Sequence, residues 1–292
     1  MIKHILTLAS GSASDANLLA DAFDLAQPFS AHVDVLHIRR DPRRGLPVHG
    51  EGMSLEAIES IAAEAERKAV ETAATARRTF EQAAADASAA ISDRRADGMT
   101  ARWRELVGEG PYLLAAEARF ADLTVLARPA GAPEPLGVLE GALFESGRPV
   151  LLAGGGMTRL DSVAIAWNGS PSAVRAVAGA WDFIARASTV SILVVEQGVV
   201  NSLTSAITGR IPSDPERLAE HLAWHGVQSS IRKVGREGRS VGEALALAAR
   251  EQGAGLLVMG GYGHSRLREI VLGGATRYVL SHAVGCPVLL AH

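Results

Sequence analysis

The chain has 292 residues, 48% of them apolar and 21% charged, a length that predicts two domains and a composition that excludes a disordered, collagenous or disulfide-scaffold protein. Its 29 basic and 32 acidic side chains leave a net charge of −3, which gives no general pull toward nucleic acid or an anionic membrane, so any anion site has to be local. The single cysteine, Cys286, excludes an internal disulfide and a cysteine-rich metal cage, and suits a reducing cytoplasm.

From the amino end, the apolar run Ile5 to Leu8 turns polar at Ser10 before a signal-peptide segment accumulates, so it reads as a first strand. Further strand-like runs fall at Val33 to His37, about Ala101 to Leu106, Leu123 to Ala127 and Pro149 to Ala153. Between the second and third of these, residues 51 to 90 place Leu55, Ile58, Ile61, Ala65 and Ala69 on one stripe at spacings of three and four. That spacing predicts one long amphipathic helix covering a face of its own sheet. No stretch approaches the roughly 20 apolar residues that span a bilayer.

The pattern then starts again. Strand-like runs return at Val163 to Trp167, Val190 to Val195, Gln228 to Val234, Leu256 to Met259 and Pro287 to Ala291. Gly147-Arg148-Pro149-Val150-Leu151-Leu152-Ala153 comes back as Gly285-Cys286-Pro287-Val288-Leu289-Leu290-Ala291, and Gly11-Ser12 as Gly169-Ser170. A repeat of this length means two copies of one supersecondary unit. Near-continuous apolar strands separated by helices specify parallel sheets covered on both faces. The expected fold class is therefore α/β, two tandem doubly wound parallel five-stranded sheets. The boundary falls in Gly154-Gly155-Gly156-Met157-Thr158-Arg159, giving domains 1–155 and 159–292.

The halves differ after their fourth strand, where the second is five residues longer and carries glycines at 260, 261 and 263, then Gly273-Gly274 opening a helix. Glycines let backbone approach a ligand, and a helix amino terminus offers free N–H groups and positive dipole to phosphate. Ligand crevices of open α/β sheets lie at the carboxyl ends of the strands, at the switch point, which would bring Asn168 to this loop. The first half has Arg128-Pro129-Ala130-Gly131 instead.

Gly260-x-x-Gly263, nine residues and Gly273 resemble the universal stress protein family, whose loop reads G-x2-G-x9-G-[S/T], and both halves are similar to that family over nearly their whole length. The resemblance implies a tandem member with flavodoxin-like, Rossmann-like strand order 3-2-1-4-5 and ATP, with or without Mg, as ligand. It implies a site in which Asn168 stands where an Asp commonly meets the adenine and Val195 where strand backbone contacts the base. Gly260, Gly263 and Gly273 would cradle ribose and phosphates with backbone from His264, Gly274 and Ala275, and Ala166 and Met259 at the strand ends complete the set. Two departures are Asn for Asp at 168 and Gly274 for Ser or Thr, the second removing one phosphate hydrogen bond.

Other chemistries match less well. Ser10-Gly11-Ser12-Ala13-Ser14-Asp15 echoes the pyrophosphate loop S-G-G-x-D-S with its last two residues reversed, a Walker A loop is absent, and Gly263-His264-Ser265-Arg266-Leu267 lacks the second glycine of a nucleophile elbow. The nine histidines show no metal-ligand spacing. The function expected is a cytoplasmic stress-response protein that binds adenine nucleotide in its second domain as a sensor or regulatory module, with no catalytic residue assigned, and with a degenerate first site. A slow ATP hydrolase using the same loop, or an interaction module with an empty pocket, are the alternatives. The expected partners are the nucleotide and the chain's own two domains, paired through their terminal strands; a homodimer of such chains is left open, and nucleic acid and membrane are not expected.

Overall fold

The computed structural model describes residues 1–39, 55–94, 96–128, 133–154, 160–196, 214–261 and 274–292. The chain forms two compact units, residues 2–125 and residues 126–292, with Met1 counted in the second.

The 2–125 unit runs β1 (His4–Leu8), α1 (Asp15–Ala26), β2 (His32–Arg39), α2 (Leu55–Asp86), β3 (Ala90–Ile91), β4 (Thr100–Val107), α3 (Gly110–Ala118) and β5 (Leu123–Leu126). All its pairings are parallel, in the order β3-β4-β2-β1-β5. Central strands need apolar residues on both faces here because helices cover both. Ile5, Leu6, Val33, Val35, Leu36, Leu123 and Val125 accordingly sit at or below 1% exposure.

The long helix exists, but its buried stripe is not the one the sequence pattern suggests. Among the described side chains of α2, the buried ones are Ala73, Ala76, Phe80 and Ala84, at spacings of three and four, and Phe80 packs on the Trp103 ring with centroids 5.7 Å apart. Ile58, Ala65 and Ala69 are only half-buried and Ile61 is exposed. The periodicity is continuous through the helix, but the buried positions fall in its carboxyl-terminal half.

The 126–292 unit runs α4 (Pro133–Glu145), β6 (Val150–Leu152), β7 (Ser162–Ala166), α5 (Pro171–Gly179), α6 (Trp181–Ile184), β8 (Thr189–Val195), α7 (Pro215–Trp224), β9 (Ser230–Val234), α8 (Val241–Glu251), β10 (Leu256–Gly260), α9 (Gly274–Ser281) and β11 (Val288–Ala291). From β7 onward the strands are parallel in the order β9-β8-β7-β10-β11, which is 3-2-1-4-5 counted from β7. The α/β class and strand order expected from the sequence are thus observed. On the outer side of β11 lies β6, antiparallel, with Leu152 opposite Val288, Leu151 opposite Leu289 and Val150 opposite Leu290.

Helix starts follow local chemistry. Ser170, Asp214 and Ser240 cap α5, α7 and α8 by accepting from Ala173 N, Arg217 N and Glu243 N at 3.2, 3.0 and 3.2 Å. Pro171 and Pro215 occupy first-turn positions, where a missing N–H is tolerated.

Candidate functional site

In the 126–292 unit the first and fourth parallel strands, β7 and β10, lie side by side, with Ala166 opposite Met259. Connections leave these two strands in opposite directions along the sheet, which makes their carboxyl ends the switch point where open α/β sheets take ligands. Ala166 and Met259 are buried there, and Val195 closes the adjacent β8 half-buried, opposite Val234.

Beyond Ala166 the chain turns through Trp167 and Asn168 into α5. Asn168 Oδ1 accepts from Ser170 N at 3.1 Å, a local turn that points the α5 amino terminus at the strand ends. The Trp167 indole N–H is buried without an acceptor among the described residues. Gly260 packs directly on this helix start: a Cβ there would lie 2.6 Å from Ser172 Oγ and 2.7 Å from Ala173 N. Only glycine allows β10 to end so close to the backbone amides of α5.

Past Gly261, residues 262–273 lie outside the described residues, and with them Gly263, His264 and Gly273. The chain resumes at Gly274 and Ala275, the first residues of α9, with Gly274 exposed. This helix is held firmly elsewhere. Ala275 O and Cα lie 2.7 and 2.9 Å from where a Cβ at Gly242 would sit, so α8 and α9 meet backbone to backbone. At its other end Arg128 donates to the carbonyls of Val279, His282 and Cys286, complementing the helix dipole although burial lowers its pKa. The Cys286 thiol is pushed up to about 11 by burial, which leaves it protonated and unreactive at neutral pH.

The corresponding end of the 2–125 unit is closed by its own side chains. Asp15, buried at the start of α1, accepts from Gly11 N at 2.6 Å, from Ser10 Oγ at 2.8 Å and from Ser12 Oγ at 3.2 Å. Gly11, at φ +85°, faces α2 so tightly that a Cβ would strike the Thr72 side chain and lie 2.9 Å from Thr72 O. Counted 158 positions on, Ser10 corresponds to Asn168, and Asp15 to Ala173. The second repeat therefore has no carboxylate where the first places one against its helix amino terminus.

A second cluster, which no sequence spacing announces, sits at the amino ends of the strands in the 2–125 unit. His4 Nε2 and His32 Nε2 lie 2.9 and 3.2 Å from the two oxygens of buried Asp34, and Arg102 donates to both oxygens at 2.7 Å. The three members of the His–Asp set come from positions 4, 32 and 34 and meet only through the β1–β2 register. Burial alone would raise the Asp34 carboxyl, but hydrogen bonds from His32, His4 and Arg102 outweigh it and hold the group far below the usual carboxylate range.

Among the described residues no helix is long and apolar enough to cross a membrane. Residues 160–292 match the model of the Universal stress protein family. No curated protein matches the sequence. Two solved structures are similar along nearly the whole chain. A universal stress protein from Archaeoglobus fulgidus DSM 4304 is 16% identical, covers 99% of this chain and 97% of its own, and superposes with a TM-score of 0.65. One from Pseudomonas aeruginosa UCBPP-PA14 is 14% identical, with coverages of 99% and 93% and a TM-score of 0.53. Residues 160–292 are therefore a domain of the universal stress protein family, in a chain that has the fold of solved universal stress proteins along nearly all its length.

Proposed function

We propose that this protein binds one adenine nucleotide, ATP with or without Mg, at the carboxyl ends of β7 and β10, and acts as a cytoplasmic stress-response sensor rather than as an enzyme. The observation that carries the reading is Gly260: β10 ends against the amide-bearing start of α5, at the switch point, in the half that belongs to the family. Asn168 and Val195 would flank the base, with Ala166 and Met259 at the strand floor. Gly260, Gly263, His264, Gly273, Gly274 and Ala275 would follow the ribose and phosphates. Trp167, with a buried indole donor, stands at the mouth of the same strand.

The closed Asp15 and Thr72 arrangement supports a single nucleotide per chain, the first repeat serving as a scaffold. The antiparallel ladder of β6 with β11 supports the further reading that the two repeats, 1–155 and 159–292, pair internally as a pseudo-twofold dimer through their matched terminal strands. A short linker gives such pairing a high effective concentration, and it covers an otherwise open sheet edge.

Calorimetric titration of the full chain with ATP should give a stoichiometry near one, and mass spectrometry of the supernatant after denaturation should identify any nucleotide carried through purification. Absence of binding by either measurement refutes the reading. Single-turnover incubation with ATP and magnesium separates sensor from slow hydrolase: protein-bound ATP persists in the first case and is converted to ADP in the second.

A further inference from the structure

The His4–Asp34 cluster lies at the amino ends of β1 and β2 in the 2–125 unit, a different unit from that of the proposed nucleotide site. Its geometry fixes a protonation state. His4 Nδ1 lies 3.0 Å from the carbonyl oxygen of Phe120, and its Nε2 lies 2.9 Å from Asp34 Oδ2. A carbonyl oxygen only accepts, and so does an ionised carboxylate. Asp34 is held ionised by the bidentate Arg102 guanidinium. A neutral imidazole carries one N–H and would set a lone pair against one of these oxygens at hydrogen-bond distance. Both contacts are satisfied together only by the imidazolium.

We propose that His4 is a proton-operated clasp, closed by proton uptake, that ties the amino ends of β1 and β2 to the α3–β5 turn and makes the 2–125 unit responsive to pH. The clasp has members on every element around it. From β1 comes His4, with Lys3 just before it; from β2, His32 and Asp34; from β4, Arg102 and Arg104, the latter paired with Glu117 of α3 at 2.5 and 3.0 Å. Asp122, before β5, accepts from the backbone N–H groups of Lys3 and His4 at 2.8 and 3.0 Å, and Asp93 adds negative charge near Arg102. His32 is tied separately, its Nδ1 lying 2.8 Å from Thr100 Oγ1. Losing the His4 proton breaks one of its two bonds, to Phe120 or to Asp34, and leaves the turn held to the start of β1 by Asp122.

The hydrogen bond to Asp34 raises the His4 pKa against an opposing effect of burial, with smaller contributions from the Asp34 charge, the Phe120 carbonyl and Asp122. A raised folded-state pKa means that the stabilisation is fully present below the ordinary histidine value of 6.5 and is lost as pH rises through the folded value. Asp34 acts in the opposite direction and only in strong acid, because its own stabilisation is present above the usual carboxylate pKa and disappears far below it. Across the neutral range His4 therefore contributes a stability that falls as pH rises.

Donor atoms of His4, His32 and Asp34 all lie within 4.8 Å of one another, a spacing that would also admit a divalent metal. The proton is favoured because each Asp34 oxygen already accepts from Arg102 and an imidazole, and a dication would have to stand beside that guanidinium. The test uses the full chain. Carbon-detected NMR should place the His4 pKa above 6.5, the ordinary histidine value, and thermal unfolding from about pH 5 to 9 should show stability falling as pH rises. Between the acid and alkaline plateaus the folded-to-unfolded ratio should fall by the same factor by which folding strengthens proton binding at His4. His4→Gln should remove that slope, and His4→Lys, permanently charged, should flatten it while retaining more of the acid-side stability. A His4 pKa at or below 6.5, or an unchanged slope in a folded His4→Gln protein, overturns the proposal. If His4→Gln does not fold, the NMR titration of the unaltered protein decides. One equivalent of Zn²⁺ bound with loss of the His4 titration would replace the clasp with a metal site.

Discussion

Replacing Gly260 by alanine tests the packing on which the candidate site depends. The added Cβ would lie 2.6 Å from Ser172 Oγ, 2.7 Å from Ala173 N and 2.8 Å from Ser172 C, closer than real Cβ atoms come to any neighbour. Two of these three atoms are backbone, so a rotamer change cannot relieve the clash. Either β10 or the first turn of α5 has to move, and Ala173 N is the group capped by Ser170 at 3.2 Å. Overpacking of this kind costs about 1–3 kcal/mol, which lowers Tm by roughly 2–12 °C for a unit of this size. Thermal unfolding followed by circular dichroism measures it, with ATP titration in parallel, where affinity should fall along with stability because the same amides move. A second variant sharpens the test. Ser172→Ala removes only the hydroxyl from the contact, so combining it with Gly260→Ala should restore part of the lost stability but not all. A Gly260→Ala protein with unchanged Tm and unchanged nucleotide affinity would refute the close approach of β10 to α5.

Two further changes probe the same unit. Gly263→Val should abolish ATP binding while leaving the circular dichroism spectrum intact, since a β-branched residue blocks a close backbone approach and resists positive φ; unchanged affinity would make the loop a plain turn. Leu151→Ala, at a fully buried position opposite Leu289 in the β6–β11 ladder, should cost about 2–5 kcal/mol in thermal or denaturant unfolding, and a loss below about 1 kcal/mol would mean that β6 contributes little to holding the unit together.

Most of the architecture was legible because it rests on local rules. Strands such as Leu123–Leu126 and Val288–Ala291 are apolar on both faces and bounded by turn residues, so a sequence pattern locates them within a residue or two. The edge strand β3 was not legible, because two exposed residues, Ala90 and Ile91, carry no period. The buried stripe of α2 was not legible because periodicity reports a helix face but not which of its turns are covered. The His4, His32 and Asp34 cluster was invisible for a different reason: its members meet through strand register and share no motif, and the signal that would have pointed to them is a pair of histidines opening two strands that become neighbours. Of the site, the strand ends and the glycine at 260 could be read from sequence, whereas the reason 260 must be glycine is a contact with Ser172 and Ala173, far away along the chain.

One difference between the two repeats lies at position 15 and its counterpart 173. In the first repeat a carboxylate occupies the start of the helix and takes the amide and two hydroxyls of its own loop; in the second an alanine leaves that ground to Ser170. A helix amino terminus favours negative charge, and in the first repeat Asp15 supplies it in the first turn of α1. Asp15→Ala removes the charge and takes the acceptor from the Gly11 amide, while Ser10 and Ser12 keep hydroxyl partners in the loop, a loss of about 1–3 kcal/mol in unfolding free energy. It should not create a second nucleotide site, because Thr72 of α2 still stands where a ligand would approach Gly11, and no glycine loop follows β5. Calorimetric titration of the Asp15→Ala chain with ATP should therefore keep a stoichiometry near one on a less stable protein. A stoichiometry approaching two would show that the carboxylate alone closes the first crevice, and would refute the view that α2 has taken the ligand's place.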